Sequence, residues 1–132
     1  MSGSIVRETL TARNRRLLLA AWDRGVRVHS HWGGRYNVTS ATQAGKLYEV
    51  LIWIDGDENR VEECSCEWAG KQGPVITYNA GTAQAHSEGQ PCSHLLVARW
   101  HRLPVARKAA ILATDPELTA AWTERGQLAE VA

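Results

Sequence analysis

Phenylalanine is missing from these 132 residues, and the aromatic content rests on six tryptophans and three tyrosines. No apolar run approaches the roughly 20 residues that a membrane-spanning helix needs, which argues against a helical membrane protein. The opening stretch, MSGSIVRETLTARNRR, has no apolar h-region, so no secretory signal is expected and the cytoplasm is the expected compartment. Cysteine is scarce too. Three residues, an odd number, argue against a disulfide framework, as does a reducing cytoplasm. What is present suffices for folding: 44% apolar residues are enough for one compact core rather than a disordered chain.

A large net charge is also lacking, at +1, but its distribution is uneven. Residues 1–46 carry eight basic groups against two acidic ones, and residues 47–68 carry one basic group against seven acidic ones. Residues 69–132 are nearly balanced, with six against five. The chain is therefore a charge dipole along its sequence, which limits the face that could meet a phosphate backbone.

Hydrophobic periodicity predicts a helix over residues 8–24, with Leu10, Leu17, Leu18, Ala21 and Trp22 on one side and Gly25 as its stop. Period-two alternation then predicts strands around 26–32 and 36–40, joined by a turn at Gly33-Gly34. KLYEVLIWI (46–54) is apolar on both faces and predicts a central strand. DGDEN (55–59) is a turn, and RVEECSC a fourth strand. PVITY (74–78) has the composition of a short strand, and NAGTAQAHSEGQ (79–90) reads as a surface loop. Beyond Pro91, helices are expected to Pro104, over 105–113, and from a cap in Thr114-Asp115-Pro116-Glu117. Trp22, Trp53, Trp100 and Trp122 suit core positions. Trp32 and Trp68 are candidates for exposed anchors, with packing near the cysteines favoured for Trp68. The expected class is α+β: an antiparallel sheet of about four strands flanked by an N-terminal helix and C-terminal helices. One domain is expected over 1–132, with an N-terminal helix and first strand in 1–33, a central module in 34–102 and terminal helices in 103–132.

The placement of the cysteines is informative. Cys64 and Cys66 sit one residue apart in ECSCEWAG, and Cys92 lies two residues before His94 in PCSHLLVARW. Four such donors close a tetrahedral zinc site with no position left for water. Residues i and i+2 of a strand share a face, so Cys64 and Cys66 start on one side, and the strand must bend for the thiols to converge. A helix beginning near Cys92 would stabilise its thiolate. Ordinary buried cysteines beside a stray histidine are the competing explanation, but two spaced pairs that use every cysteine favour a metal. A Cys64–Cys66 disulfide is geometrically poor.

Cys-x-Cys, a spacer, then Cys-x-His, with strands before and a helix after, resembles the SWIM-type zinc finger. The likeness extends upstream through YNVTSATQAGKLYEVLIWIDGDENRVEECSC and downstream into PCSHLLVARW, covering roughly residues 34–102. The resemblance implies that Cys64, Cys66, Cys92 and His94 hold one structural zinc ion. It also implies a non-catalytic module that binds DNA or a protein. No competing catalytic set is visible: Ser, His and Asp residues are present, but nothing orders them into a triad. His29 and His31 share a strand face, where solvation is the ordinary explanation.

Two functions follow. In the first, nucleic acid, with DNA favoured, is bound by Arg99 and Arg102, three apart on one helix face, together with Arg13 and Arg16. The acidic stretch 55–67 is then expected to point away from the ligand. In the second, the protein is an adaptor subunit whose exposed tryptophans anchor a protein partner.

Overall fold

The computed structural model describes residues 10–77, 87–88 and 91–126. The class is α+β, with a six-stranded antiparallel sheet whose spatial order follows the chain. Helix α1 (Ala12–Asp23) comes first, capped by the Thr11 hydroxyl, which accepts the Asn14 N–H at 3.1 Å. Strands β1 (Val28–Trp32) and β2 (Arg35–Thr39) form a hairpin around Gly33-Gly34. Gly33 has φ +61°, and a Cβ at Gly34 would run into the Ile52 carbonyl, so both turn glycines are required by local geometry. Strand β3 (Leu47–Ile54) is paired on both sides, and β4 (Arg60–Cys64) completes the expected meander. The DGDEN turn between them is organised by Asp55, whose carboxylate accepts the Asp57 and Asn59 N–H groups at 2.9 and 3.0 Å.

The sheet runs beyond the expected four strands. Helix α2 (Glu67–Gln72) follows β4, and the chain then returns as β5 (Val75–Thr77) and β6 (Ser87–Glu88). Val75 is buried opposite Glu62 in the register, which explains why so short a segment stays on the sheet. Apart from Ser87–Glu88, the polar stretch 79–90 lies outside the described residues.

Helix α3 (Ser93–His101) lies on the sheet and is covered in turn by α1. Leu95, Leu96, Val97, Ala98 and Trp100 are all buried, as a helix packed on two sides requires. Helices α4 (Val105–Leu112) and α5 (Pro116–Ala121) follow, and a π-helical turn (Trp122–Gly126) comes next. Asp115 caps α5 and chelates Arg15 of α1 at 2.7 and 2.9 Å, tying the two helices together.

Tryptophan takes the place that phenylalanine leaves empty. Trp22, Trp100 and Trp122 meet with centroids 5.2–5.8 Å apart, two of the three pairs edge-on, joining α1, α3 and the π turn. Gly126 lies against this triad, where a Cβ would collide with the Trp122 and Trp22 rings. Trp53 departs from its expected core position and is 40% exposed. It sits on the outer face of the sheet with Leu51, whereas Val50 and Ile52 face the helices. Trp32 is 83% exposed, and Trp68, on α2, is 44% exposed.

Candidate metal centre

Three elements deliver the four donors. Cys64 is the last residue of β4, Cys66 is the N-cap of α2, Cys92 is the N-cap of α3 and His94 lies in the first turn of α3. The strand ends at Cys64, and the chain bends at Cys66 and enters a helix at once. The donor atoms all lie within 4.8 Å of one another. Zinc–sulfur bonds of about 2.3 Å place sulfurs about 3.8 Å apart. His94 Nδ1 lies 3.8 Å from Cys92 Sγ. The Cys3His set therefore fits a four-coordinate metal of thiolate and imidazole preference, closed to water.

The surroundings favour negative charge at one thiol above the others. Cys92 Sγ accepts the Leu95 N–H at 3.4 Å at the start of α3. Its thiol is pushed down to about 4, first by a hydrogen bond from Cys64, then by His94 and the Leu95 N–H, against the opposing effect of burial. Cys64 is pushed up, chiefly because it donates to Cys92 and is half-buried. Burial likewise raises Cys66, although the Ala69 N–H at 3.4 Å opposes the rise. Without a metal, the cluster thus concentrates its charge on Cys92. A divalent cation would draw the remaining two protons away.

The histidine is also positioned. The Tyr48 ring packs on the His94 imidazole, with centroids 4.4 Å apart, and Lys46 lies over the other part of this stack, 5.1 Å from the Tyr48 centroid. Tyr48 thus restricts His94 to the rotamers that face the thiols. His31, by contrast, meets His101 (4.9 Å) and Tyr36 (5.8 Å) on the inner side of the sheet instead of pairing with His29. The Cys3His set is the one metal-competent cluster of histidine, cysteine and carboxylate groups among the described residues.

The four arginines expected to hold nucleic acid divide into two groups. Arg13 and Arg16 are exposed on α1, away from buried Leu18, Ala21 and Trp22. Arg102 is exposed at the C-terminus of α3, with its side chain in solvent. Arg99 is different: its Nε and Nη2 donate to the two oxygens of Glu62 at 2.9 and 2.6 Å. Glu62 is fully buried. One member of the acidic stretch therefore points into the basic cluster rather than away from it. Two further cations join it, because Arg60, Arg99, Arg102 and Arg107 line a single recess of about 160 Å³ with Leu103 and Pro104. Sequence spacing shows neither Arg60 nor Arg107 beside Arg102, because β4 and α4 are brought there by tertiary packing.

No family profile, curated protein or solved structure matches the chain. No helix among the described residues is long and apolar enough to cross a membrane.

Proposed function

We propose that this protein is a non-catalytic, SWIM-like module held together by one structural zinc ion, and that it binds nucleic acid, with DNA favoured. Zinc is the reading that the donor set supports best, since three thiolates and one imidazole in a closed arrangement suit it. The nucleic-acid reading is carried by one observation: the metal-anchored helix α3 brings Arg99 and Arg102 beside Arg60 of β4 and Arg107 of α4. Phosphate neutralisation and counterion release dominate such binding, so a local excess of guanidinium groups is the feature required. Guanidinium also suits phosphate better than ammonium, because its fork can contact two oxygens at once.

The test is fluorescence anisotropy of the zinc-loaded full chain with short DNA duplexes and single strands over a range of salt concentrations. Binding that weakens steeply with salt supports the reading. Absence of binding at low salt refutes it.

A second reading, a protein-binding adaptor, is favoured by Trp32, which is 83% exposed beside partly exposed Trp53 on the sheet's outer face. Capture of partners with and without nuclease treatment separates the two. Partners that survive nuclease and are lost on Trp32→Ala favour the adaptor.

A further inference from the structure

We infer that the sheet face turned away from α3 carries a groove that docks a short protein segment, one that is both apolar and basic. The inference rests on the protein-binding reading and names the chemistry of the partner.

The groove follows from the register. Trp32, Arg35, Leu51 and Glu63 stand opposite one another across β1 to β4. Tyr36, Val50 and Ile52, next to them in sequence, are buried on the other face. Trp53 lies two residues beyond Leu51 and shares its face. Two recesses meet on this row. One, of about 360 Å³, lies among Trp32, Arg35, Leu51 and Trp53. The other, of about 380 Å³, lies among Leu51, Glu49, Glu63 and the small residues Ala69 and Gly70 of α2. Leu51 lines both, so together they make one groove with an aromatic end and an acidic end.

Charge decides what fits. Arg35 Nη1 lies 3.3 Å from Glu49 Oε2, so that cation is matched within the groove. Glu63 is exposed and has no ion pair among the described residues. Just past Trp53, the β3–β4 turn adds Asp55 and exposed Asp57. Negative charge beside a large apolar surface repels a phosphate backbone and complements a cationic side chain. The acidic stretch thus has a use of its own, on the side of the sheet opposite Arg99.

The groove also sets a spacing. Trp32 and Glu63 are three strand spacings apart, roughly 14 Å. An extended segment crossing the strands covers that distance in about four residues. The occupant therefore carries an apolar anchor for the Trp32–Trp53 end and a lysine or arginine about four residues away for Glu63. Trp32, at 83% exposure, is the side chain with most apolar surface to bury on docking.

The probes are short synthetic peptides added to the zinc-loaded full chain and followed through tryptophan indole N–H NMR signals. One peptide carries a leucine and, four residues on, two lysines. A second has glutamates for the lysines, and a third has serine for the leucine. Saturable shifts at Trp32 and Trp53 are expected for the first alone, with buried Trp22 and Trp100 unmoved. Trp32→Ala should weaken its binding about thirtyfold. Glu63→Gln, an exposed change that leaves the fold intact, should weaken it about threefold and reduce its salt dependence. Glu63→Lys should turn the preference toward the glutamate peptide. No saturable shift with any peptide would overturn the inference, as would equal binding of the lysine and glutamate peptides. So would shifts at Trp32 that follow protein concentration alone, which would assign the face to a second copy of this chain, or shifts that only single-stranded DNA produces. Protein partners that survive nuclease and are lost on Trp32→Ala, but are retained at full strength by Glu63→Lys, would keep the adaptor reading and discard the basic segment.

Discussion

Cys66 and Cys92 perform the same two tasks on two different helices. Each is an N-cap, each sulfur accepts the N–H three residues on at 3.4 Å, and each belongs to the metal-competent cluster. Two helix N-termini therefore aim their exposed N–H groups at one point, where thiolate charge collects. Cap and ligand can be separated by substitution, because serine caps a helix well but binds zinc poorly. Cys66→Ser and Cys92→Ser should both fall from one zinc per chain to none by elemental analysis. Amide exchange should rise furthest in α3 for Cys92→Ser, since a metal held by the cluster would tie that helix to β4. Full zinc content in Cys92→Ser would exclude this cluster as the site.

The same cluster predicts proton release. Cys92 is pushed down to about 4, so it is already a thiolate at neutral pH, whereas Cys64 and Cys66 are raised and keep their protons in the metal-free fold. Binding zinc must expel those two protons. Calorimetry in buffers of different ionisation enthalpy should therefore find about two protons released per zinc near pH 7. Affinity should rise with pH and fall as the solution is acidified. Release of three protons at a pH well above the ordinary histidine value of about 6.5 would show that Cys92 is protonated in the metal-free protein.

Arg15 and Asp115 join residues 100 apart in sequence, and Glu117 adds a third contact at 2.7 Å. The Asp115 carboxyl is held below its ordinary value, first by the Arg15 guanidinium, against the opposing effect of burial, and further by the Leu118 N–H. A lowered carboxylate means that the unfolded chain binds more protons than the folded one between the two values. Stability from this pair is thus present above the ordinary aspartate value of about 3.9 and is lost as pH falls below it. Arg15→Ala should lower stability only modestly at pH 7, because the pair is part-exposed. It should also flatten the loss of stability below about pH 4. A pH profile parallel to the parent's would show that another carboxylate is responsible.

The extent to which these features are visible in sequence depends on how local their cause is. The β1–β4 meander follows from alternation and from Gly33-Gly34, both short-range signals. Four donors are visible because their spacing is the signal. Helix α2 is hidden in the spacer since six residues are too few to show a period, although Cys66 followed by Glu67 forms a cap and an acidic first turn. The face of Trp53 is not legible either. KLYEVLIWI is apolar on both sides, so its pattern gives no sign that one sheet face lacks a helical cover. Glu62 and Glu63 look equivalent in RVEEC, yet the register turns Glu62 to the helices opposite Ile52 while Glu63 is exposed. Hence the spacing of Arg99 and Arg102 gives their shared helix but not the carboxylate that holds one of them.

Glu62 gives the sharpest separation of stability from function. It is fully buried, with Arg99 at 2.6 and 2.9 Å and Arg60 at 3.7 Å. Removing one member of such a pair strands a buried charge, so Glu62→Ala should lose about 3–5 kcal/mol in chemical denaturation. A milder loss is expected for Glu62→Gln, which keeps the shape and one acceptor. Replacing Glu62 and its closer partner with apolar residues, as in Glu62→Leu with Arg99→Met, removes those two charges and their desolvation cost together, while Arg60 keeps its contact with Thr77. Buried ion pairs are often no more stabilising than such replacements, so the double variant should recover most of the loss, and a double-mutant cycle should give a large coupling energy. If the pair exists only to hold the fold together, the recovered protein should also bind DNA as the parent does. If Glu62 is there to hold Arg99 for a phosphate, the double variant should be folded, zinc-loaded and deficient in binding, with a lower salt slope. Anisotropy measured beside the denaturation curves decides between these outcomes, and parental binding by the stable double variant would leave Glu62 a purely structural role.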